Sequence, residues 1–106
     1  MSTRPKAAPR PGRPKGATSF DEEVAKAFGT VLKARRIATG MSQELLALTT
    51  GMERSYLSRL ERGLSQPTLL VLLKVAKGLE CESSDLVAPV EKRFRRNHEA
   101  KYKEQE

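Results

Sequence analysis

Few side chains in this sequence of 106 residues could take part in covalent or metal chemistry. There is one histidine, His98, and one cysteine, Cys81, so neither can pair with a second residue of its kind. The sequence has no serine–histidine–aspartate set, no paired carboxylates at catalytic spacing and no glycine-rich phosphate loop. We therefore expect no enzymatic activity, no cofactor and no metal site.

The sequence is rich in charged residues, and the net charge is distributed unevenly along the chain. The net charge is +7, but residues 20–88 hold equal numbers of basic and acidic side chains. The excess lies in residues 1–19, which have no acidic side chain, and in residues 89–106. Because ribosomal proteins and basic chaperones are also basic, this excess alone does not identify a partner.

The compartment is indicated by cysteine usage and by the apolar runs. One cysteine cannot form an intrachain disulfide, and the basic N-terminus lacks the apolar core of a signal peptide. The longest aliphatic run, Leu69–Leu73, is far too short to span a membrane. We expect a cytoplasmic protein with no membrane partner.

Composition divides the chain into three parts. Residues 1–19 are rich in proline and poor in large apolar side chains, which predicts a disordered basic arm. Residues 20–88 carry helical apolar spacing and no alternating pattern, which predicts an all-α domain. Residues 89–106 are charged, but Val90, Phe94, His98 and Tyr102 recur every fourth residue, so this part is a tail or a sixth helix.

Capping residues and glycines predict the helix ends. Ser19–Glu22 has the spacing of a capping box, and Ser42 and Thr68 are the expected N-caps of the second and fourth helices. Gly51 is expected to end the second helix and Gly63 the third. A fifth, short helix begins near Ser83. The fourth helix is expected to face the core with Leu69, Leu72, Leu73, Ala76 and Leu79.

The second and third helices are unusually short. The third runs over about residues 53–62, with Leu57 and Leu60 facing inward, and neither helix can bury much surface alone. A helix-turn-helix at residues 42–62 explains such a pair, because its first helix crosses the DNA backbone and its second enters the major groove. We expect the turn to need Gly51 because the two helix ends nearly collide.

The motifs around this pair resemble those of the lambda-repressor-like family, also called the Xre or Cro/C1-type helix-turn-helix family. They are Met41-Ser42-Gln43-Glu44-Leu45-Leu46-Ala47, Gly51, Leu57-Ser58-Arg59-Leu60-Glu61-Arg62-Gly63 and Pro67-Thr68-Leu69. The resemblance spans Phe28 to about Val87. It implies a five-helix domain that binds double-stranded DNA as a homodimer, and a regulator of transcription, with repression expected, on a bacterial or phage nucleoid.

The resemblance also assigns roles to individual residues. Those expected at the bases are Glu53, Arg54, Ser55 and Arg59, with Arg54 best suited to grip guanine O6 and N7. Those expected at phosphates are Ser42, Gln43, Tyr56, Arg62, Ser65 and Arg36, with Tyr56 equally suited to packing on a neighbour. Glu61 is expected to pair with Arg35 or Arg36, and Cys81 to fill the core.

The arm contains Arg10-Pro11-Gly12-Arg13-Pro14-Lys15, which resembles the core of AT-hook peptides apart from Pro11. Proline keeps such a chain extended, and arginine is attracted to a narrow minor groove. Arg10, Arg13 and Lys15 are thus expected in the minor groove, or to attract DNA without specificity.

Two surfaces keep other functions open. Leu70 and Val71 replace the family's usual polar residues on the fourth helix, and the Val90–Tyr102 stripe could hold a protein partner. One alternative is an antitoxin that binds its operator and neutralises a toxin. Another is an adaptor that has lost DNA binding, although Gln43, Arg54 and Arg59 argue against it.

Overall fold

The computed structural model describes residues 19–105, with the side chains of residues 19–99, and has five helices and no strand in that range. They are α1 (Glu22–Ala38), α2 (Gln43–Thr50), α3 (Arg54–Glu61), α4 (Leu69–Gly78) and α5 (Ser83–Gln105). The predicted all-α fold with five helices is therefore confirmed. Within the described part of the chain, no helix combines the length and the apolar character needed to cross a bilayer.

Short polar side chains begin three of the helices. The hydroxyls of Ser42 and Thr68 accept hydrogen bonds from the backbone N–H of Leu45 (3.0 Å) and Val71 (3.2 Å), as predicted. The predicted capping box at Ser19 is wrong. Asp21 is the N-cap of α1, and its carboxylate accepts from the backbone N–H of Val24 at 3.0 Å.

The turn between α2 and α3 depends on the backbone conformation of Gly51. Its φ is +73°, in the left-handed region, and the N–H of Met52 closes the turn on the carbonyl of Ala47 at 3.0 Å. A Cβ at Gly51 would meet nothing within 4 Å. The expectation of colliding helix ends was therefore wrong, and glycine is favoured here because L side chains rarely adopt this φ.

The core is built mainly from leucines of all five helices. The largest side chains without exposed surface are Leu32, Leu46, Leu57, Leu60, Leu86 and Val75. On α4 the predicted core face was partly wrong, because Leu69 and Leu73 are 72% and 49% exposed. Ala76 and Leu79 are buried as predicted, and Val75 is buried in place of the two exposed leucines, so the core face of α4 is rotated from the predicted one.

Helix α5 continues through Pro89, so the segment after this proline extends the fifth helix and does not form a separate sixth one. Proline removes the N–H that would bond the carbonyl of Asp85, but Asp85 and residues 87–89 are exposed, so water can donate to this carbonyl instead. Leu86 is buried and Val90 packs against the core. One face of α5 therefore holds the helix on the domain while the proline lies on another.

Beyond Val90, α5 lies beside the beginning of α1. A groove of about 410 Å³ separates them, with Val24, Ala27, Val90 and Phe94 among its lining residues. The rings of Phe94 and His98 stack with centroids 5.5 Å apart. Three members of the predicted Val90–Tyr102 stripe thus lie on this side, and the side chain of Tyr102 is outside the described residues.

Candidate nucleic-acid interface

The outer side of α3 carries the four residues predicted to meet bases. Glu53, Arg54, Ser55 and Arg59 are all exposed, and we call them the reading face. Leu57 and Leu60, on the other side of the same helix, have no exposed surface, as predicted. Within the described residues, Glu53, Arg54 and Ser55 form no side-chain hydrogen bond or ion pair with the domain, so they are available to a ligand.

The first turn of α2 lies close to the end of α3. Ser42 is exposed at the N-cap, and Gln43 follows it as the first residue of the helix. The Nε2 group of Gln43 donates a hydrogen bond to Oε1 of Glu61 at 3.0 Å. Gln43 is therefore held in place by α3, while its backbone N–H is one of the unbonded donors at a positively polarised helix end.

An ion pair between Arg36 and Glu61 lies behind the reading face. Nε of Arg36 donates to Oε2 of Glu61 at 2.6 Å, and a second guanidinium nitrogen donates to Oε1 at 3.0 Å. The third nitrogen donates to the carbonyl of Met41 at 2.8 Å. The side chains of Arg36 and Glu61 are only 12% and 2% exposed. The predicted pairing of Glu61 is thus confirmed for Arg36.

These contacts change the acidity of both groups. Burial by itself would raise the pKa of Glu61, but hydrogen bonds from Arg36 and Gln43, with the nearby positive charges, lower this pKa overall. The hydrogen bond to Glu61 raises the pKa of Arg36 against the opposing effect of burial. Both groups remain charged, and their bidentate contact fixes α1 to α3, while the hydrogen bond from Gln43 attaches α2 to the same carboxylate.

The same ion pair changes the interpretation of Arg36. All three nitrogens of its guanidinium donate to groups of the domain, and little of the side chain reaches the surface. A phosphate could bind Arg36 only by displacing the carboxylate of Glu61, which would leave that largely buried charge without its partner. We therefore withdraw Arg36 from the predicted phosphate contacts.

Gly29 determines how closely α3 packs against α1. A Cβ on Gly29 would lie 2.5 Å from the carbonyl oxygen of Leu60 and 2.6 Å from that of Glu61. Only glycine permits this distance, because the clashing atoms are backbone. The sequence reasoning missed Gly29, although Ala25 one turn earlier, also buried, forms with it a pair of small residues typical of close helix crossings.

The other predicted phosphate contacts lie around the two ends of α3. Tyr56 is half-buried and packs against the core, which is one of its two predicted roles. Arg62 is exposed at the C-cap. The hydroxyl of Ser65 accepts a hydrogen bond from Nε of Arg59 at 3.2 Å, so Ser65 orients a member of the reading face.

Arg10, Arg13 and Lys15 of the arm lie outside the described residues. One residue near the base of the arm was missed by the sequence reasoning: Gln66, in the loop after α3, forms hydrogen bonds to the backbone of Ser19 and Asp21. No local pattern marks such a residue, since its partners are 45 and 47 positions away.

The remaining reactive groups are not arranged as a site in the described part of the chain. No three His, Cys, Asp or Glu side chains there are close enough to hold a metal ion. Cys81 is half-buried against the core, and burial raises the pKa of its thiol. A thiol in this state is a poor nucleophile, which agrees with the predicted packing role.

Comparison with known proteins places this geometry in a family. A helix-turn-helix family model matches residues 32–86. The HTH-type transcriptional regulator SutR of Escherichia coli is 37% identical over 68 residues, which are 64% of this chain and 38% of SutR. The matched segment therefore spans well under half of that relative.

Solved structures of shorter proteins match over nearly their whole length. The restriction-modification controller protein C.AhdI from Aeromonas hydrophila superposes with a TM-score of 0.58 at 40% identity, covering 58% of this chain and 94% of C.AhdI. The controller protein C.Esp1396I, solved as a tetramer with its natural 35 base-pair operator, has a TM-score of 0.59 at 30% identity. That match covers 65% of this chain and 91% of C.Esp1396I.

Proposed function

This chain belongs to the Xre and Cro/C1-type helix-turn-helix family, and on that premise we propose that it is a sequence-specific DNA-binding regulator of transcription with no catalytic role. The observation that carries the proposal is the reading face. Four polar side chains project from a short helix whose position is set by the Arg36–Glu61–Gln43 contacts and by Gly29. Recognition of base edges needs such a helix to be held rigidly.

In the proposed complex, α3 enters the major groove of double-stranded DNA. Arg54, in the first turn, is placed to donate two hydrogen bonds to guanine O6 and N7, and Glu53 to accept from a cytosine amino group or to orient Arg54. Arg59, oriented by Ser65, contacts a second base or a phosphate. Phosphates on either side are bound by Ser42, Gln43 and Arg62, which fix the register of α3 on the duplex.

The arm adds contacts outside the major groove in this proposal. Arg10, Arg13 and Lys15 follow the neighbouring minor groove, with highest affinity where A·T pairs make it narrow. Each phosphate neutralised by the arm contributes about 0.9 to the slope of log affinity against log salt concentration. Changing all three residues to glutamine should therefore reduce the slope by up to about 2.7, and an unchanged slope would show that the arm does not contact DNA.

We propose that two copies bind together through α4. Leu69, Leu70 and Leu73 are 72%, 61% and 49% exposed, and three large apolar side chains on one short helix favour a protein contact. Val71, predicted with Leu70, is half-buried against the core and contributes less. The tetrameric state of C.Esp1396I on its operator supports self-association. Leu70→Glu should shift the sedimenting species towards monomer, and an unchanged mass would exclude this surface.

The test of the proposed function is selection of bound duplexes from a random pool by the full-length chain, with the mass of the complex measured. We expect one enriched motif in two half-sites about 10 base pairs apart, or a multiple of that spacing. An adaptor without DNA binding would enrich no motif. A motif without symmetry, bound by one chain, would contradict the dimer but not the reading face.

Arg54→Ala sharpens that test. Loss of a bidentate guanine contact should remove about 1–3 kcal/mol of discrimination at one base pair in each half-site. Arg96→Ala, the same change at an exposed position of α5, is the matched control and should leave specificity intact. If Arg54→Ala weakened binding to all duplexes equally, Arg54 would be a phosphate contact instead.

A further inference from the structure

One face of α1 follows the end of α3. A Cβ on Gly29 would lie 2.6 Å from the carbonyl oxygen of Glu61, and the side chain of Arg36, seven residues later, is paired with the carboxylate of the same residue. Residues separated by seven positions lie two turns apart on one side of a helix. Lys33 falls between Gly29 and Arg36 with the same helical spacing, so it lies on the side of α1 that faces Glu61.

The charge of Lys33 is exposed, unlike that of Arg36, whose side chain is only 12% exposed. The carboxylate of Glu61 already accepts three hydrogen bonds, two from Arg36 and one from Gln43. Lys33 is near enough for its charge to help lower the pKa of this carboxyl group, yet its side chain forms no hydrogen bond or ion pair within residues 19–99. Its ammonium group is therefore available to a ligand at the surface.

Lys26, the other lysine of α1, is in a different state. It lies beside the residue that follows the C-cap of α3, since a Cβ on Gly63 would come within 2.9 Å of its Cγ. Its ammonium group pairs with Glu22 at 3.7 Å across one turn of the helix, and both side chains are more than half exposed. Lys33 is thus the lysine of α1 whose charge is not offset by a carboxylate at the surface.

Two residues already placed in the proposed interface lie close to this lysine. Gln43 donates to the carboxylate of Glu61, and Arg62, the next residue in the chain, is exposed. Arg36 cancels the charge of Glu61. The exposed cations Lys33 and Arg62 therefore leave this end of α3 positive. Each phosphate of DNA carries one negative charge, and lysine, with three donors on a flexible stem, binds such a group as a point charge.

We propose that Lys33 is a further phosphate-contacting residue, which binds from α1 the stretch of DNA backbone that Gln43 binds from α2. The inference rests on the proposed function and adds to it a third helix in contact with the duplex. Two residues thereby share the roles that the sequence suggested for Arg36: this arginine holds Glu61, whereas Lys33 supplies the contact with DNA. Contacts of this kind fix the register of the domain on the duplex without reading its sequence.

The experiment compares Lys33→Gln with the natural sequence, both as full-length chains, on the duplex that the natural sequence enriches from the random pool. Affinity is measured by fluorescence anisotropy between about 50 and 200 mM salt. Loss of one phosphate contact should reduce the slope of log affinity against log salt concentration by about 0.9 for each bound chain. The difference in affinity between the two proteins should therefore shrink about 3.5-fold per bound chain over this range. Lys33→Arg keeps the charge and should retain the natural slope.

Lys92→Gln is the matched control, because it removes the same charge from an exposed position on α5. It should leave the slope unchanged, whereas a general effect of net charge would lower the slope equally in both variants. Melting temperatures are measured on the same samples. If Lys33 served only to stabilise the charge of Glu61, Lys33→Gln would lower the melting temperature and keep the natural slope.

A second duplex, changed at one base pair of a half-site, separates contact with phosphate from contact with bases. Lys33→Gln should weaken binding to the two duplexes by the same factor, because the phosphate is present whatever the base pair. A larger loss on the enriched duplex would mean that Lys33 reads a base, and a natural slope would mean that it contacts no phosphate. Either result overturns the inference and leaves the proposed function intact. Failure of the natural sequence to enrich any duplex would overturn both.

Discussion

The Arg36–Glu61 pair behind α3 and the Arg95–Glu91 pair on α5 have the same chemistry in very different surroundings. The first links Arg36 of α1 to Glu61 of α3, 25 residues further along the chain, with side chains only 12% and 2% exposed. The second joins neighbouring turns of one helix, with side chains 72% and 52% exposed, at 2.8 Å. Distance alone would rank the two pairs as nearly equal, but water competes far more strongly for the groups of the second pair.

The difference shows that different interactions stabilise the α2–α3 region and the outer part of α5. The α2–α3 end consists of helices of eight residues each, which bury little, and it is fixed by directional contacts. The outer part of α5 is one long helix that needs no such contact, because its own backbone hydrogen bonds and one apolar face suffice. The directional contacts are therefore concentrated around the reading face, and four predictions test this view.

Glu61→Ala should have the largest effect, because it leaves the guanidinium of Arg36 buried without its partner. We expect unfolding to become easier by about 3–5 kcal/mol, measured by urea denaturation. Glu91→Ala is the matched control on α5 and should change stability by less than about 0.5 kcal/mol. Similar losses in the two variants would show that burial does not separate the pairs.

Gly29→Ala tests the close approach of α1 and α3. The added Cβ would force the backbone of Leu60 and Glu61 away, and overpacking of this kind costs about 1–3 kcal/mol. Alanine in place of a helical glycine is otherwise stabilising, by roughly 0.5–1 kcal/mol. A more stable Gly29→Ala variant with unchanged DNA affinity would therefore contradict the proposed depth of α3. Thr30→Ala, at the adjacent exposed position, should be nearly neutral.

Acid should reveal the contribution of Glu61 to stability. The pKa of Glu61 is lowered in the folded protein, so its stabilising effect is complete above its ordinary pKa of 4.5 and is lost as the pH falls through the lower folded value. Below pH 4.5, the free energy of unfolding should fall with pH more steeply in the natural protein than in Glu61→Gln, by up to about 1.4 kcal/mol per pH unit. If Glu61→Gln lost stability with falling pH as steeply as the natural protein does, Glu61 would not be the source of that dependence.

Arg95→Ala should have the smallest effect. An exposed pair at i and i+4 contributes about 0.3–0.5 kcal/mol, and salt screens it. The loss of helix content, measured by circular dichroism, should be slight and should vanish in high salt. A loss above about 1 kcal/mol would mean that the outer part of α5 depends on its ion pair after all.

Local rules predicted much of the fold. The caps at Ser42 and Thr68 and the burial of Leu57 and Leu60 follow from residue type and helical spacing within one element. At the start of α1, Ser19 and Asp21 were both acceptable caps by type. The Gln66 contact places Ser19 outside the helix, and that contact comes from a distant part of the chain.

The failures share this dependence on distant neighbours. Helix α4 is apolar on several sides, so its sequence alone does not decide whether Leu69 and Leu73 or Val75 face the core. The helix boundary expected at Pro89 ignored that residues 87–89 are exposed, where the missing donor is cheaply replaced by water. Gly29 has meaning only once α1 is known to touch α3, and Gln66 only once the loop after α3 is known to meet the segment before α1.

The separation between the reading face and its supports has a practical consequence for retargeting. The side chains of Glu53, Arg54 and Ser55 bond to nothing else in the described domain, and the side chain of Arg59 donates only to Ser65. A combinatorial library randomised at these four codons should therefore yield folded members with new operators. Gln43 does not belong in such a library, because every substitution there also changes the environment of Glu61. The residues that would set specificity can therefore be exchanged without disturbing the contacts that hold α3 in place.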